Sequence, residues 1–109
     1  MNIMDNKTAM FVNYKKQIIR AIDLSMDYLK SNPNQFSCSI LGFFVGAQTC
    51  NVIEDDVLRE YRKVCRARHY HSGFRGYTNE QWSNKSQEDQ QKIRIKKLEK
   101  FKKHFVDNY

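Results

Sequence analysis

The segment from Thr8 to Lys30 carries a long helical repeat of apolar residues, and this repeat constrains the fold more than any other feature of the sequence. Its apolar positions recur at intervals of three and four residues, which is the period of one face of an α-helix. They are Phe11, Tyr14, Ile18, Ile22, Ser25 and Leu29. Pro33 follows soon afterwards and cannot continue a helix. The sequence therefore predicts one amphipathic helix over residues 8–30.

Turn-forming residues are scarce in the chain as a whole. Its 109 residues include four Gly and one Pro, which is too few for the many short strands of a β-sandwich or barrel. A hydrophobic fraction of 40%, with seven Phe, six Tyr and one Trp, argues against disorder. A chain of this length is one domain and buries a core without disulfides. We therefore expect an all-α single domain, residues 1–109, of four or five helices.

A long uncharged segment lies in the first half of the chain. No charged side chain occurs between Lys30 and Glu54. The apolar centre of this segment predicts a buried central helix over 38–50, capped by Ser37. Short apolar runs cannot be assigned by period alone, so a strand over 39–45 stays open. The densely apolar part covers only about ten residues, too few to cross a bilayer, and we expect no membrane span.

The charged residues divide unevenly between the two halves of the chain. Residues 1–56 contain five Lys or Arg and six Asp or Glu, whereas residues 57–109 contain fourteen and six. The first half thus carries a net charge of −1 and the second +8, which sum to the +7 of the whole chain. Such a division predicts that one face contacts a polyanion, either a nucleic acid, an acidic protein or an anionic membrane surface.

The stretch from Val57 to Tyr77 holds six cationic side chains, five of them arginines. An amphipathic helix that begins at residues 54–56 is expected to end around 68–70, before a loop that contains two glycines. Arginine and lysine neutralise phosphates, arginine also lies flat on bases, and exposed aromatic rings stack on unpaired bases. The candidate nucleic-acid-binding residues here are Arg59, Arg62, Lys63, Arg66, Arg68, His69, Tyr70, Phe74 and Arg75, with Tyr77 as a further stacking residue. Alternatively, these rings and Trp82 fold back to close the core.

A second cationic helix is predicted near the end of the chain. Thr78 and Gln81 match a capping box, which indicates a short helix over 78–82, and a long helix follows from Ser86 to about residue 106. Its expected outer face carries Lys92, Arg94, Lys96, Lys97, Lys100, Lys102 and Lys103, of which Lys96, Lys100 and Lys103 are candidate binding residues. This face either follows phosphates, lies on an anionic membrane or is merely solvated.

The cysteine and histidine pattern indicates no metal site. Cys38, Cys50 and Cys65 are an odd number at wide spacing, and the first residues lack an apolar leader. We therefore expect free thiols in a reducing, cytoplasmic setting. Cys65, His69 and His71 offer zinc ligands, but the tight ligand pairs of structural zinc sites are missing. No metal and no cofactor are expected.

These observations favour a non-enzymatic protein that binds nucleic acid through residues 57–77, extended by 92–103. A second hypothesis is a small inhibitor or adaptor, of viral or mobile-element origin, that binds an acidic protein surface.

A third hypothesis rests on Arg66-x4-His71, with Arg62-x6-His69 beside it, because this spacing resembles the motif of the HEPN ribonucleases. That resemblance implies an all-helical fold in which Arg and His act on the scissile phosphodiester of RNA. Ala67 stands where the family usually has a polar residue.

Overall fold

A computed structural model describes residues 6–66 and 77–109. Within these two ranges the chain forms helices and no strand, which confirms the all-α prediction. The helices are α1 (Asn6–Asn13), α2 (Lys15–Ser31), α3 (Ser37–Thr49), α4 (Glu54–Cys65), α5 (Asn79–Ser83) and α6 (Gln87–Asn108). No helix in the described residues is both long enough and apolar enough to cross a membrane.

The helix predicted over residues 8–30 is divided in two, which gives six helices in the described residues where four or five were expected. Tyr14 leaves the helical conformation with φ −106° and ψ 17°, and α2 begins at the next residue. Phe11, which lies before the break, packs edge-on against Phe105 of α6, with ring centroids 5.6 Å apart. The segment before the break therefore packs against the end of the last helix.

Four helices enclose the core. Helix α2 packs against α3 and α6, and α4 packs against the same two helices from the other side. Helices α3 and α6 therefore lie diagonally across the bundle. The fully buried side chains include Ile18, Ile22, Leu29, Leu41, Val57, Tyr61, Leu98, Phe101 and Phe105. Each belongs to the apolar stripe of its own helix, so the amphipathic patterns of the separate helices converge on one core.

Helix α3 is the predicted central helix, but Ser37 does not cap it. Phe36 occupies the N-cap position without a side-chain hydrogen bond, and Ser37 is the first helical residue. The Ser37 hydroxyl is buried and lies 2.7 Å from the hydroxyl of Tyr61 on α4. A buried hydroxyl needs a hydrogen-bonding partner, and these two hydroxyls are partners of each other. One side of α3 faces outward, where the Phe43 side chain is 68% exposed.

Two glycines of α3 allow the start of α4 to lie close by. A Cβ at Gly46 would collide with Asn51 Oδ1 and would lie 2.9 Å from Glu54 Oε2. A Cβ at Gly42 would lie 3.1 Å from Glu54 Oε1. The turn between the helices places Cys50 and Asn51 in the left-handed region, with φ 56° and 63°. The short connection thus depends on small residues on α3.

Helix α4 ends at Cys65, three to five residues before the predicted end. Arg66 adopts a left-handed conformation with φ 51°, which stops the helix. Lys97 Nζ of α6 donates a hydrogen bond to the Cys65 carbonyl oxygen at 2.6 Å, and the Cys65 thiol donates to the Lys97 carbonyl oxygen at 2.9 Å. These reciprocal hydrogen bonds attach the end of α4 to the middle of α6.

Candidate functional site

Helices α4 and α6 run antiparallel, and this pairing creates the candidate site. Glu60 Oε1 lies 3.2 Å from His104 Nε2, whereas Cys65 contacts Lys97. Residue numbers therefore rise along α4 as they fall along α6. The end of α4 lies beside the first half of α6, where Lys96, Lys97 and Lys100 are located.

A cleft of about 430 Å³ opens at this junction. Its lining residues are Cys65, Tyr77, Ile93, Lys96, Lys97 and Lys100. Three ammonium groups thus surround a surface that contains an aromatic ring and a branched aliphatic side chain. Among the described residues no carboxylate lines this cleft. Its volume lies within the range of small-molecule sites, roughly 300–1,000 Å³.

The three lysines of the cleft differ in their surroundings. Lys97 is half-buried, and its ammonium group donates to the Cys65 carbonyl. Burial lowers the pKa of Lys97, and the neighbouring charge of Lys100 lowers this pKa further. Lys96 and Lys100 are exposed one helical turn apart. Lys97 thus belongs to the α4–α6 contact, whereas Lys96 and Lys100 are exposed to solvent.

Tyr77 forms the aromatic wall of the cleft at the entry to α5. Its ring is half-buried, and the ring centroid lies 5.7 Å from that of Trp82. Lys85 Nζ lies 4.9 Å from the same Tyr77 centroid. The next residue begins the capping box predicted from sequence. Gln81 N donates to Thr78 Oγ1 at 3.0 Å, and Thr78 N donates to Gln81 Oε1 at 2.9 Å. The capping box and Trp82, which is buried, together hold Tyr77 in place.

Two further clefts adjoin the first and share lining residues with it. One, of about 530 Å³, is lined by Tyr77, Gln81, Asn84 and Lys85. The other, of about 420 Å³, is lined by Lys85, Asp89, Lys92, Ile93, Ile95, Lys96 and Glu99. The shared residues show that the three clefts are neighbours around α5 and the first half of α6. The third cleft contains carboxylates, so the most cationic of the three is the cleft beside Tyr77.

The cationic residues of α4 point in different directions. Arg59, Lys63 and Arg66 are exposed, and Arg59 pairs with Asp56 at 3.2 Å. Arg62 is half-buried, with Nη1 3.9 Å from Cys38 Sγ on α3. Burial raises the pKa of the Cys38 thiol, and Arg62 opposes that shift. Arg62 therefore contributes to the α3–α4 packing, unlike the three exposed cations.

The prediction that Arg94 lies on the outer face of α6 is wrong. Arg94 is 2% exposed, and its guanidinium donates to the Pro33 carbonyl oxygen. Its Cζ atom lies 5.2 Å from the Trp82 ring centroid and 5.7 Å from that of Phe36. The sequence contained a signal for this placement, because Arg94 precedes Leu98, Phe101 and Phe105 at intervals of four, three and four residues. Arg94 therefore occupies the apolar stripe, and burial lowers its pKa.

The other predicted residues of α6 lie at its surface or its edges. Lys103 is exposed and pairs with Asp107 at 3.2 Å. Lys102 pairs with Asp23 of α2 at 2.8 Å, so it belongs to the α2–α6 contact. Of the candidate residues that the structure describes, Lys96 and Lys100 line the cleft beside Tyr77. Lys85, Gln81 and Asn84 line the adjoining cleft and were not identified from the sequence.

Five candidate residues lie outside the described part of the chain: Arg68, His69, Tyr70, Phe74 and Arg75. They belong to the segment that joins Arg66 to Tyr77, and their roles stay predictions. The same holds for the ribonuclease hypothesis, since His69 and His71 belong to that segment. Among residues 6–66 and 77–109, no group of three or more His, Cys, Asp or Glu could hold a metal ion.

Comparison with known proteins found no match. No protein-family model matches the sequence, and neither a curated protein nor a solved structure shows significant similarity to it. The geometry and chemistry of the described residues therefore carry the functional argument.

Proposed function

We propose that this protein binds nucleic acid, without catalysis, through the cleft between the end of α4, Tyr77 and α6. The observation that carries the proposal is that Lys96, Lys97 and Lys100 surround Tyr77 and Ile93 in a cleft with no carboxylate among its described lining residues. Phosphates require cations, and bases require apolar or aromatic surface, so this combination suits a nucleic acid.

The exposed lysines neutralise phosphates in this mechanism. Lys96 and Lys100 are one turn apart on α6, and Lys103 continues the same stripe three residues later. Lys63 of the adjacent helix α4 and Arg66, which follows the last residue of that helix, supply further exposed cations. Each ammonium that contacts a phosphate releases counterions, so binding weakens as the salt concentration rises.

The proposal includes a reducing, cytoplasmic setting. All three cysteines are free thiols, and Cys38 and Cys65 are buried in the core. Thiols persist in this form where glutathione and thioredoxin keep proteins reduced.

The test is a titration of the protein against labelled single-stranded RNA, single-stranded DNA and duplex DNA at several salt concentrations, followed by fluorescence anisotropy. The double variant Lys96→Gln/Lys100→Gln removes two phosphate contacts, so its log–log salt slope on single strands should decrease by about 1.4, at about 0.7 per contact. The matched control, Lys16→Gln/Arg20→Gln, removes two exposed charges from α2 and should retain the wild-type slope.

The same experiment tests the two alternatives, an acidic protein partner and ribonuclease activity, because each predicts a result that differs from simple nucleic-acid binding. If none of the three nucleic acids binds at low salt, nucleic-acid binding is wrong and an acidic protein partner takes its place. If labelled RNA is cleaved, and His71→Ala abolishes the cleavage, the protein is an enzyme. Equal slopes for the α6 double variant and the α2 control would contradict the location of the site.

A further inference from the structure

We infer that the cleft beside Tyr77 takes an unpaired nucleotide, so the target of this protein is single-stranded. The inference rests on the proposed nucleic-acid binding and specifies the class of ligand. Its basis is the juxtaposition of an aromatic ring, an apolar side chain, two side-chain amides and four ammonium groups in two adjoining clefts.

The apolar part of the cleft distinguishes a single strand from a duplex. Tyr77 and Ile93 offer the surface on which a base can stack. In a duplex the base faces are already stacked on their neighbours, and the outside presents phosphates and groove edges. A duplex would therefore contact the lysines and leave Tyr77 and Ile93 unused, whereas an unpaired base uses both kinds of group.

The adjoining cleft supplies hydrogen-bonding groups for the edge of the same base. Gln81 and Asn84 line it together with Tyr77. Gln81 Oε1 accepts the hydrogen bond from Thr78 N, which fixes the orientation of this amide and leaves its NH₂ group as a donor for a base acceptor. Single-stranded recognition commonly combines stacking on an aromatic ring with hydrogen bonds to the exposed base edge.

Cations from two parts of the chain lie around this position. Lys85 Nζ, from the connection between α5 and α6, lies over the Tyr77 ring, 4.9 Å from its centroid, and lines the adjoining cleft. Lys96 and Lys100 of α6 line the cleft beside Tyr77. A base at Tyr77 therefore has ammonium groups available for the phosphates next to it.

Trp82 provides a direct readout of the proposed contact. It is the chain's single tryptophan, and its ring centroid lies 5.7 Å from that of Tyr77. A base that stacks at Tyr77 therefore alters the emission of Trp82. The experiment titrates the protein with a twelve-nucleotide single strand and with the same strand annealed to its complement, at equal salt. We expect the single strand to bind more tightly and to change the Trp82 emission, and the duplex to leave this emission unchanged.

Three tyrosine variants locate the contact. Tyr77→Leu should weaken single-strand binding by about five- to hundredfold, the range for loss of one base–aromatic stack, and should leave duplex binding unchanged. Tyr77→Phe keeps the ring and should retain wild-type affinity. The matched control is Tyr28→Leu, which removes an exposed tyrosine from α2. Circular dichroism of each variant establishes that the helices are intact.

The outcomes separate this inference from the proposed function. If strand and duplex bind equally, or if Tyr77→Leu and Tyr28→Leu behave alike, the single-strand inference is overturned while salt-dependent nucleic-acid binding stands. If neither strand nor duplex binds at low salt, both proposals fail. Should Tyr77→Leu lose its helical signal, Tyr77→Phe and the Trp82 emission of the wild-type protein still decide the question.

Discussion

Replacement of Arg94 by alanine separates a structural cation from the cations of the proposed binding surface. Arg94 is 2% exposed, donates to the Pro33 carbonyl and lies against the rings of Phe36 and Trp82. It is located on α6 two residues before Lys96, which is exposed. We expect Arg94→Ala to destabilise the fold and to leave the salt slope of nucleic-acid binding unchanged.

The magnitude follows from the contacts that the substitution removes. A hydrogen bond from a charged donor contributes about 1.5–3 kcal/mol, and a desolvated cation–π contact about 2 kcal/mol. Relief of the burial cost of the guanidinium offsets part of this loss, as the lowered pKa of Arg94 indicates. The expected net cost is about 2–3 kcal/mol, a large share of the roughly 5–15 kcal/mol that stabilises a domain of this size.

The assay is urea unfolding followed by circular dichroism, with the anisotropy titration on the same samples. Lys96→Ala is the matched control, because it removes a cation from the exposed face of the same helix. Lys96→Ala should retain the wild-type unfolding midpoint and show a reduced salt slope, which is the opposite of Arg94→Ala. A wild-type midpoint for Arg94→Ala, together with a reduced salt slope, would show that Arg94 belongs to the binding surface.

Two further predictions concern the pH dependence and the packing of the fold. Burial raises the pKa of Cys65 from 9.0 to about 11, so the folded chain keeps a proton that the unfolded chain loses, and stability falls as pH rises through this window. Cys65→Ala lacks this thiol, so between pH 9 and 10.5 its free energy of unfolding should fall less than that of the wild type, by at most about 1.4 kcal/mol per pH unit. Urea unfolding at several pH values measures this difference, and an equal fall in both proteins would contradict the prediction. Gly46→Ala should be less stable than Gly42→Ala by about 1 kcal/mol, because a Cβ at Gly46 displaces the Asn51 and Glu54 side chains, whereas a Cβ at Gly42 lies 3.1 Å or more from its neighbours and both variants gain the same helix propensity. Equal thermal midpoints for the two glycine variants would refute the close approach of α4.

The helical class and most of the core could be predicted from the sequence. An apolar repeat of three and four residues identifies the buried side of one helix without knowledge of its neighbours. In α6, Leu98, Phe101 and Phe105 recur at intervals of three and four residues, and all three are fully buried. The exposed positions of Lys96 and Lys100 follow from the same periodicity.

The candidate site depended on contacts between distant segments. The cleft requires the end of α4, the entry to α5 and the first half of α6 to meet, and each segment alone predicts only a cationic or aromatic residue. Arg62 shows what the sequence could not predict. Its position in the sequence resembles that of the exposed cations, but its guanidinium lies beside Cys38 of α3. Which side of a cationic helix is covered depends on the neighbouring helix.

The sequence by itself determined that the chain is helical, that the uncharged segment forms one helix of the core and that the second half is cationic. Periodicity and charge are properties of single helices, and they are set by the order of residues. Only the tertiary structure decided that Arg94 lies in the core and that Lys96 and Lys100 line one cleft with Tyr77. Arg94 is stabilised by Pro33 and Phe36, some sixty residues earlier in the chain, and by Trp82. Such partners meet only when the helices pack, because a buried charge requires groups that its own helix does not supply.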